Sequence, residues 1–303
     1  MEYRIISADD HIDLQWLPKD LWQTRVPTQW RERAPKVVDT ADGPSWVCGN
    51  DRWDSWGGRK GAAGAQGGRR TAIERGGVLE PGVLRPTTTA LRLADMDRDG
   101  IDATVMYGPI VPLLIADPEL RKVCYRAYND WLIPIDDPAS AADEIRSLRK
   151  IGLRTGMFLA ARVELPLWDD AWEPFWEAAA ETGIPIGFHL GGGLRTVAVS
   201  MDDTYRKFLD AEEYWRTHGG LALTMSPSAY CRRQVWATFQ TDHAGLRMLD
   251  TLGDDRVMWA SDYPHADATW PESQQAIADN FKNVPHASRR RILCDNAREL
   301  YGL

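Results

Sequence analysis

Short apolar runs, each closed by a polar or glycine-containing turn, alternate with amphipathic stretches along this 303-residue chain. Residues 3–8 (YRIISA), 101–107 (IDATVMY), 153–161 (LRTGMFLAA), 184–190 (IPIGFHL), 235–240 (VWATFQ) and the VMW of 256–265 (RVMWASDYPH) read as strands. Apolar runs this short, bounded by turn residues, suit buried strands. Residues 133–135 (IPI) make only a strand fragment. Between the strands the spacing predicts a short helix from Pro18 and further helices over 87–98, 118–131, 138–150, 170–182, 200–218, 226–234, 244–252, 271–282 and 286–300. Gly100, Gly152 and Gly183 sit where such helices stop.

Strand and helix alternation predicts βα units and a parallel sheet within a single domain over 1–303. Polar residues that demand a partner follow the C-terminal ends of a first, a middle and a last strand, at Asp9, His189 and Asp262. An unpaired buried carboxylate is costly. In a doubly wound sheet the first and last strands usually lie apart, whereas in a closed (β/α)8 barrel they are neighbours and all strands point their C-terminal ends at one mouth. The barrel is the fold that lets these residues meet. About six clear strands and a fragment can be counted against the eight of a closed barrel, so the reading is of a shortened barrel. Residues 35–86 read as a long irregular insertion carrying Trp46, Trp53 and Trp56 and then GGRKGAAGAQGGRR, with 57–70 mobile. The glycines lack the order of a phosphate loop.

A formal charge of −8 excludes general nucleic-acid binding. Neither a signal peptide nor an apolar run of membrane-spanning length is evident, so a cytoplasmic protein is expected. Cys48, Cys124, Cys231 and Cys294 are scattered without a CxxC pair and read as reduced thiols. The 14 tryptophans exceed ordinary usage, and those in the 46–56 stretch hint at an apolar or aromatic ligand.

The chemistry rests on Asp9, His11, His189 and Asp262, a mix of imidazole and carboxylate that suits Zn²⁺, Mn²⁺ or Fe²⁺. In Asp9-x-His11 both side chains point to one side of an extended chain, and Asp10 points to the other, where a turn-capping role suits it. His265 could touch substrate or orient Asp262, or simply hold its loop. Arg154 and Arg162 flank a strand and could bind a substrate carboxylate, although surface pairing suits them better. Tyr107 is a candidate pocket wall, and His218, His243 and His286 read as surface or helix-end residues.

The motifs ISADDHI, RLADMDRDGIDATVMYG, GIPIGFHLGG, PSAYCRRQVWATFQ, VMWASDYPHADATWP and CDNARELYGL occur in this order over nearly the whole chain. Together they resemble the amidohydrolase-related branch of the amidohydrolase superfamily, which contains metal-dependent hydrolases and aromatic-acid or semialdehyde decarboxylases. The resemblance implies a (β/α)8 barrel. It implies Asp9 and His11 as ligands from the first strand, His189 from the fifth and Asp262 from the last, with Asp262 also handling the proton. It implies a divalent ion, zinc first, then manganese or iron. The first functional expectation is hydrolysis of a small carbonyl compound, with non-oxidative decarboxylation as the alternative that shares the same ligands. Asp-x-His in place of Glu-x-His leans away from the aromatic decarboxylases. An oxygenase needs a second metal site, and the segment after Gly193 offers no obvious ligands for one. A non-catalytic partner of an active homologue is the reading outside enzymology. The expected partners are a small-molecule substrate and a second copy of the chain or a homologous subunit, with neither nucleic acid nor membrane.

Overall fold

The computed structural model describes residues 3–58, 71–108, 115–129, 142–143, 145–146, 148, 154–158, 170–188 and 225–303. Among these the strands are β1 (Ile6–His11), β2 (Lys36–Val38), β3 (Ser45–Cys48), β4 (Asp51–Ser55), β5 (Ala103–Tyr107), β6 (Gly156–Phe158), β7 (Ile186–Phe188), β8 (Ala237–Phe239) and β9 (Val257–Trp259). The helices are α1 (Leu21–Arg25), α2 (Ala72–Arg75), α3 (Thr89–Asp99), α4 (Pro118–Asn129), α5 (Glu173–Thr182), α6 (Pro227–Gln234), α7 (His243–Arg247), α8 (Leu249–Leu252), α9 (Ser273–Asn280), α10 (His286–Arg290) and α11 (Asn296–Tyr301). A π-helical turn, Arg291–Asp295, joins the last two. The predicted fragment at 133–135, the helix over 200–218, and His189, Arg162 and His218 lie outside the described residues.

The parallel pairing is as expected from strand and helix alternation. β1 pairs with β5, β6 with β7 and β8 with β9, all in parallel. β9 lies beside β1. Past β9 the backbone N–H of Asp262 donates to the Asp9 carbonyl at 3.0 Å, and that of His11 donates to the Tyr263 carbonyl at 2.7 Å. First and last strands therefore adjoin at their C-terminal ends. Among the described residues the parallel strands form three separate pairs, and β2, β3 and β4 a three-stranded sheet, rather than one continuous closed sheet. α3 ends where Gly100 takes φ 69°, the left-handed cap that lets the chain turn into β5. Ile6, Ala8, Val105 and Met258 pack with Ala297 and Tyr301 of α11 beneath the strand ends.

Two sequence expectations change. Part of the stretch over 35–86 is ordered as a sheet: β2, β3 and β4 pair antiparallel, and residues 59–70 lie outside the described residues. Gly49, at φ 61°, turns the two-residue connection between Cys48 and Asp51. Short alternating segments such as SWVC are weak signals beside the glycine-rich composition around them. Trp46 is not a loop tryptophan: it is fully buried, edge-on to Trp22 at 4.9 Å, and its Nε1–H donates to the Leu14 carbonyl at 2.6 Å. Trp56 Nε1–H donates to the Leu17 carbonyl at 2.8 Å. The inserted sheet is thus fastened to the segment that leaves β1.

Asp10 is the second change. It does not cap a turn. Its buried Oδ1 accepts from the hydroxyls of Ser7 and Ser261, each at 2.7 Å, and from the Tyr263 backbone N–H at 3.3 Å. Oδ2 accepts from the Arg92 guanidinium at 2.8 Å and the Thr104 hydroxyl at 2.6 Å. One carboxylate therefore ties β1, α3, β5 and the segment after β9 together. Removing it leaves Arg92, itself buried, without its counter-charge, and breaking a buried pair this way costs about 3–5 kcal/mol. We expect Asp10→Ala to lose about that much stability in urea unfolding.

Candidate metal centre

β1 carries the site's first groups on its last residues, past a bulge between Ser7 and Asp10. Asp9 and His11 project to one side and Asp10 to the other. The strand end then meets Asp262, which sits at φ 60°. That left-handed conformation is open to few residues besides glycine, Asn and Asp. It is held by the Asp262 N–H on the Asp9 carbonyl and by the His265 N–H on the Asp262 carbonyl, both at 3.0 Å. The bend turns the Asp262 side chain back over β1.

His11 is fully buried, and its Nε2 lies 3.1 Å from Asp9 Oδ1 and 3.1 Å from Asp262 Oδ1. On the other side of the ring, Nδ1 faces the Gly108 carbonyl at 3.4 Å. The His265 ring stacks on His11 with centroids 4.3 Å apart and planes 20° from parallel. His265 Nδ1 lies 2.8 Å from Asp262 Oδ1, and its Nε2 lies 3.1 Å from Asp13 Oδ2. Tyr107 closes one flank, its ring 6.3 Å from His11 and its hydroxyl 2.9 Å from that of Tyr301.

The electrostatics follow from three carboxylates around two stacked imidazoles. Burial disfavours a charged His11, yet Asp262 and Asp9 outweigh it and raise the ring to about 9. Burial likewise opposes charge on Asp262, but its hydrogen bonds with His11 and His265 hold it well below the ordinary carboxylate range. His265 is raised well above its usual value because Asp13 and Asp262 overcome its burial. Asp13 is lowered against its own burial by His265.

The residues fit a divalent ion. Asp9 Oδ1 is buried and, apart from His11 Nε2 at 3.1 Å, has no hydrogen-bond partner among the described residues. A proton on Nδ1 directed at Gly108 leaves Nε2 as a ligand atom, the arrangement that a backbone carbonyl commonly imposes on metal-binding histidines. His11, Asp262 and His265 each bring one ligand atom within 4.8 Å of the others. Mixed N and O donors of this kind suit zinc or manganese. A cation among them supplies the positive charge that imidazole protons otherwise provide.

Of the residues singled out in the sequence, Asp9, His11, Asp262 and His265 come together, and His189 lies outside the described residues. Arg154 is not part of this cluster: it is exposed, and its guanidinium donates to the Tyr301 carbonyl at 3.2 Å. Asp13 escaped the sequence reading. The alternation Asp9-x-His11-x-Asp13 was its signal, hidden because the predicted strand ended before it.

A family model described as amidohydrolase matches residues 125–303. An amidohydrolase from Mycobacterium avium subsp. paratuberculosis K-10 is similar in structure, with TM-score 0.72, 19% identity and 100% of both chains covered. 5-Carboxyvanillate decarboxylase from Sphingomonas paucimobilis gives TM-score 0.60 at 19% identity, again over 100% of both chains. The 5-carboxyvanillate decarboxylase of Novosphingobium aromaticivorans, solved with manganese and 4-hydroxy-3-methoxy-5-nitrobenzoic acid, gives TM-score 0.55 at 16% identity over 99% of this chain and 96% of that one. A search of curated proteins found no match.

Beside the centre, Asp54 on β4 is raised to about 6, chiefly by burial and further by Asp13. An acid whose folded pKa lies above its unfolded value binds more protons when folded, so stability falls as pH rises between the two. We expect wild-type stability to drop by on the order of 2 kcal/mol from about pH 4 to about pH 6 through this group. Comparison with Asp54→Asn by urea unfolding across that range checks it: the variant should lack that share of the decline.

Proposed function

The chain belongs to the amidohydrolase family, and we propose that it is a metal-dependent hydrolase whose proton-handling group is Asp262. In this reading Asp9, His11, His189 and Asp262 hold one divalent ion, zinc or manganese. When bound, the ion supplies Lewis acidity toward a substrate oxygen. The observation that carries the reading is the convergence of Asp9, His11 and Asp262, with Asp262 kept ionised by the imidazoles of His11 and His265. An ionised carboxylate fixed in this way accepts a proton from an attacking water and returns it to the leaving group, acting as general base and then general acid. His265 orients that carboxylate through Nδ1. The substrate class is a small carbonyl compound, apolar or aromatic, with Tyr107 as one wall.

The second reading is non-oxidative decarboxylation of a small aromatic or unsaturated acid, favoured by the decarboxylases among the similar structures. There Asp262 must deliver a proton to the carbon that loses CO₂. Decarboxylation requires Asp262 to enter the reaction already protonated, against two imidazoles that hold it ionised, whereas in hydrolysis it starts ionised and takes its proton from the attacking water, which is why hydrolysis comes first.

Elemental analysis of the purified chain should find about one equivalent of divalent metal, lost in a His11→Ala/His189→Ala double variant. Asp262→Asn should abolish turnover, a fall of at least about 100-fold, in a panel of aryl esters, amides and lactones. Release of CO₂ from hydroxybenzoates with no hydrolysis across the panel overturns the first reading in favour of the second. Turnover retained by Asp262→Asn removes Asp262 from the mechanism.

A further inference from the structure

We infer that Asp13 is a positioning residue: it fixes the His265 ring, and through that ring the direction in which Asp262 presents its carboxylate. This rests on the metal-dependent reading above. Three side chains form a continuous line, with Asp13 Oδ2 3.1 Å from His265 Nε2 and His265 Nδ1 2.8 Å from Asp262 Oδ1. The line is enclosed, since His265 is 5% exposed and the Asp13 side chain 13%.

Each remaining contact of His265 constrains something other than what Asp13 constrains. Its backbone is set by its N–H on the Asp262 carbonyl and by the Ala72 N–H, which donates to the Pro264 and His265 carbonyls. Its ring plane is set by stacking on His11. Stacking leaves the ring free to flip by about 180° around its Cβ–Cγ bond, because both faces of an imidazole stack alike. A turned ring carries Nδ1 away from Asp262. Asp13 breaks that degeneracy, since only one orientation satisfies both carboxylates. Asp262 needs the help, because its Oδ1 is shared between His11 Nε2 and His265 Nδ1 at 3.1 and 2.8 Å. Residues that orient metal ligands from behind commonly change metal affinity by about 10–100-fold.

The metal-free chain and its Asp13→Asn and Asp13→Ala variants, titrated calorimetrically with Mn²⁺, test this. Long-range ¹⁵N spectra of the histidine rings accompany the titrations, with His265 assigned through His265→Gln. Both variants should bind Mn²⁺ at least about 10-fold more weakly and shift the His265 ring nitrogens, while the thermal midpoint of metal-free Asp13→Asn, which keeps the side chain's size and an uncharged acceptor, stays put. Formate added to Asp13→Ala should recover part of the affinity. Unchanged affinity with unchanged His265 signals overturns the inference. So does a fall in affinity that tracks a fall in thermal midpoint and resists formate, which marks a structural pair only. If the wild-type chain takes up no Mn²⁺ or Zn²⁺, the metal reading fails on its own. The His265 signals of the metal-free proteins then still decide whether Asp13 sets the ring. Should Asp13→Ala not fold, the near-isosteric Asp13→Asn carries the test.

Discussion

One buried carboxylate that never faces the candidate centre holds the centre's parts in register. Asp10 accepts hydrogen bonds from Ser7, Ser261, Tyr263, Arg92 and Thr104. Its neighbours in sequence, Asp9 and His11, are on the opposite face of the same strand. Satisfying Asp10 therefore fixes the strand from behind, and its bond to Ser261 fixes the residue just before Asp262. A second buried acid repeats the device one layer out. Asp95 is gripped by both the Nε and Nη2 of Arg85, and the Tyr263 hydroxyl donates to it at 2.6 Å. The Arg92 guanidinium lies 4.7 Å over the ring of that same tyrosine. Charged groups at these depths persist only when paired and hydrogen-bonded, and these pairs hold the tips of β1 and β9 together.

Much of this was legible in the chain. The βα alternation, the strand ends at Asp9 and Asp262, and the need for first and last strands to meet all follow from period and polarity. What the sequence hid has identifiable physical causes. The sheet of β2 to β4 is built from short segments inside a composition that otherwise reads as loop. Trp46 and Trp56 fasten it through the Leu14 and Leu17 carbonyls, contacts no local pattern predicts. Asp10 read as a turn cap because its partners Arg92, Thr104 and Ser261 lie 82, 94 and 251 residues away. Asp13 was passed over because the predicted strand stops at Ala8 and the alternation beyond it was followed only as far as His11.

The inserted sheet also changes how the candidate centre should be pictured. It stands on the segment leaving β1 and carries Asp54 toward Asp13, so acidic groups run from Asp262 through His265 and Asp13 to Asp54. The gradient along them is uneven. Asp262 and Asp13 are held low by imidazoles, and Asp54, with no imidazole among its perturbing groups, is held high by burial. The same residue type is set to opposite protonation habits by what stands beside it.

The separation of Asp10 from Ser261 by 251 residues has a consequence for how the molecule comes into being. Closing so long a loop precedes any reward from the contacts it brings, and chains dominated by such contacts fold slowly. During synthesis the N-terminal strand emerges with a charged carboxylate and a histidine whose partners have not yet been translated. Ser7, Arg92 and the paired strand β5 can engage it first, but the partners supplied by Ser261 and Asp262 come only after β9 has been made. In the metal-dependent reading proposed above, an ion held by Asp9, His11 and Asp262 would be taken up only after these distant segments have met.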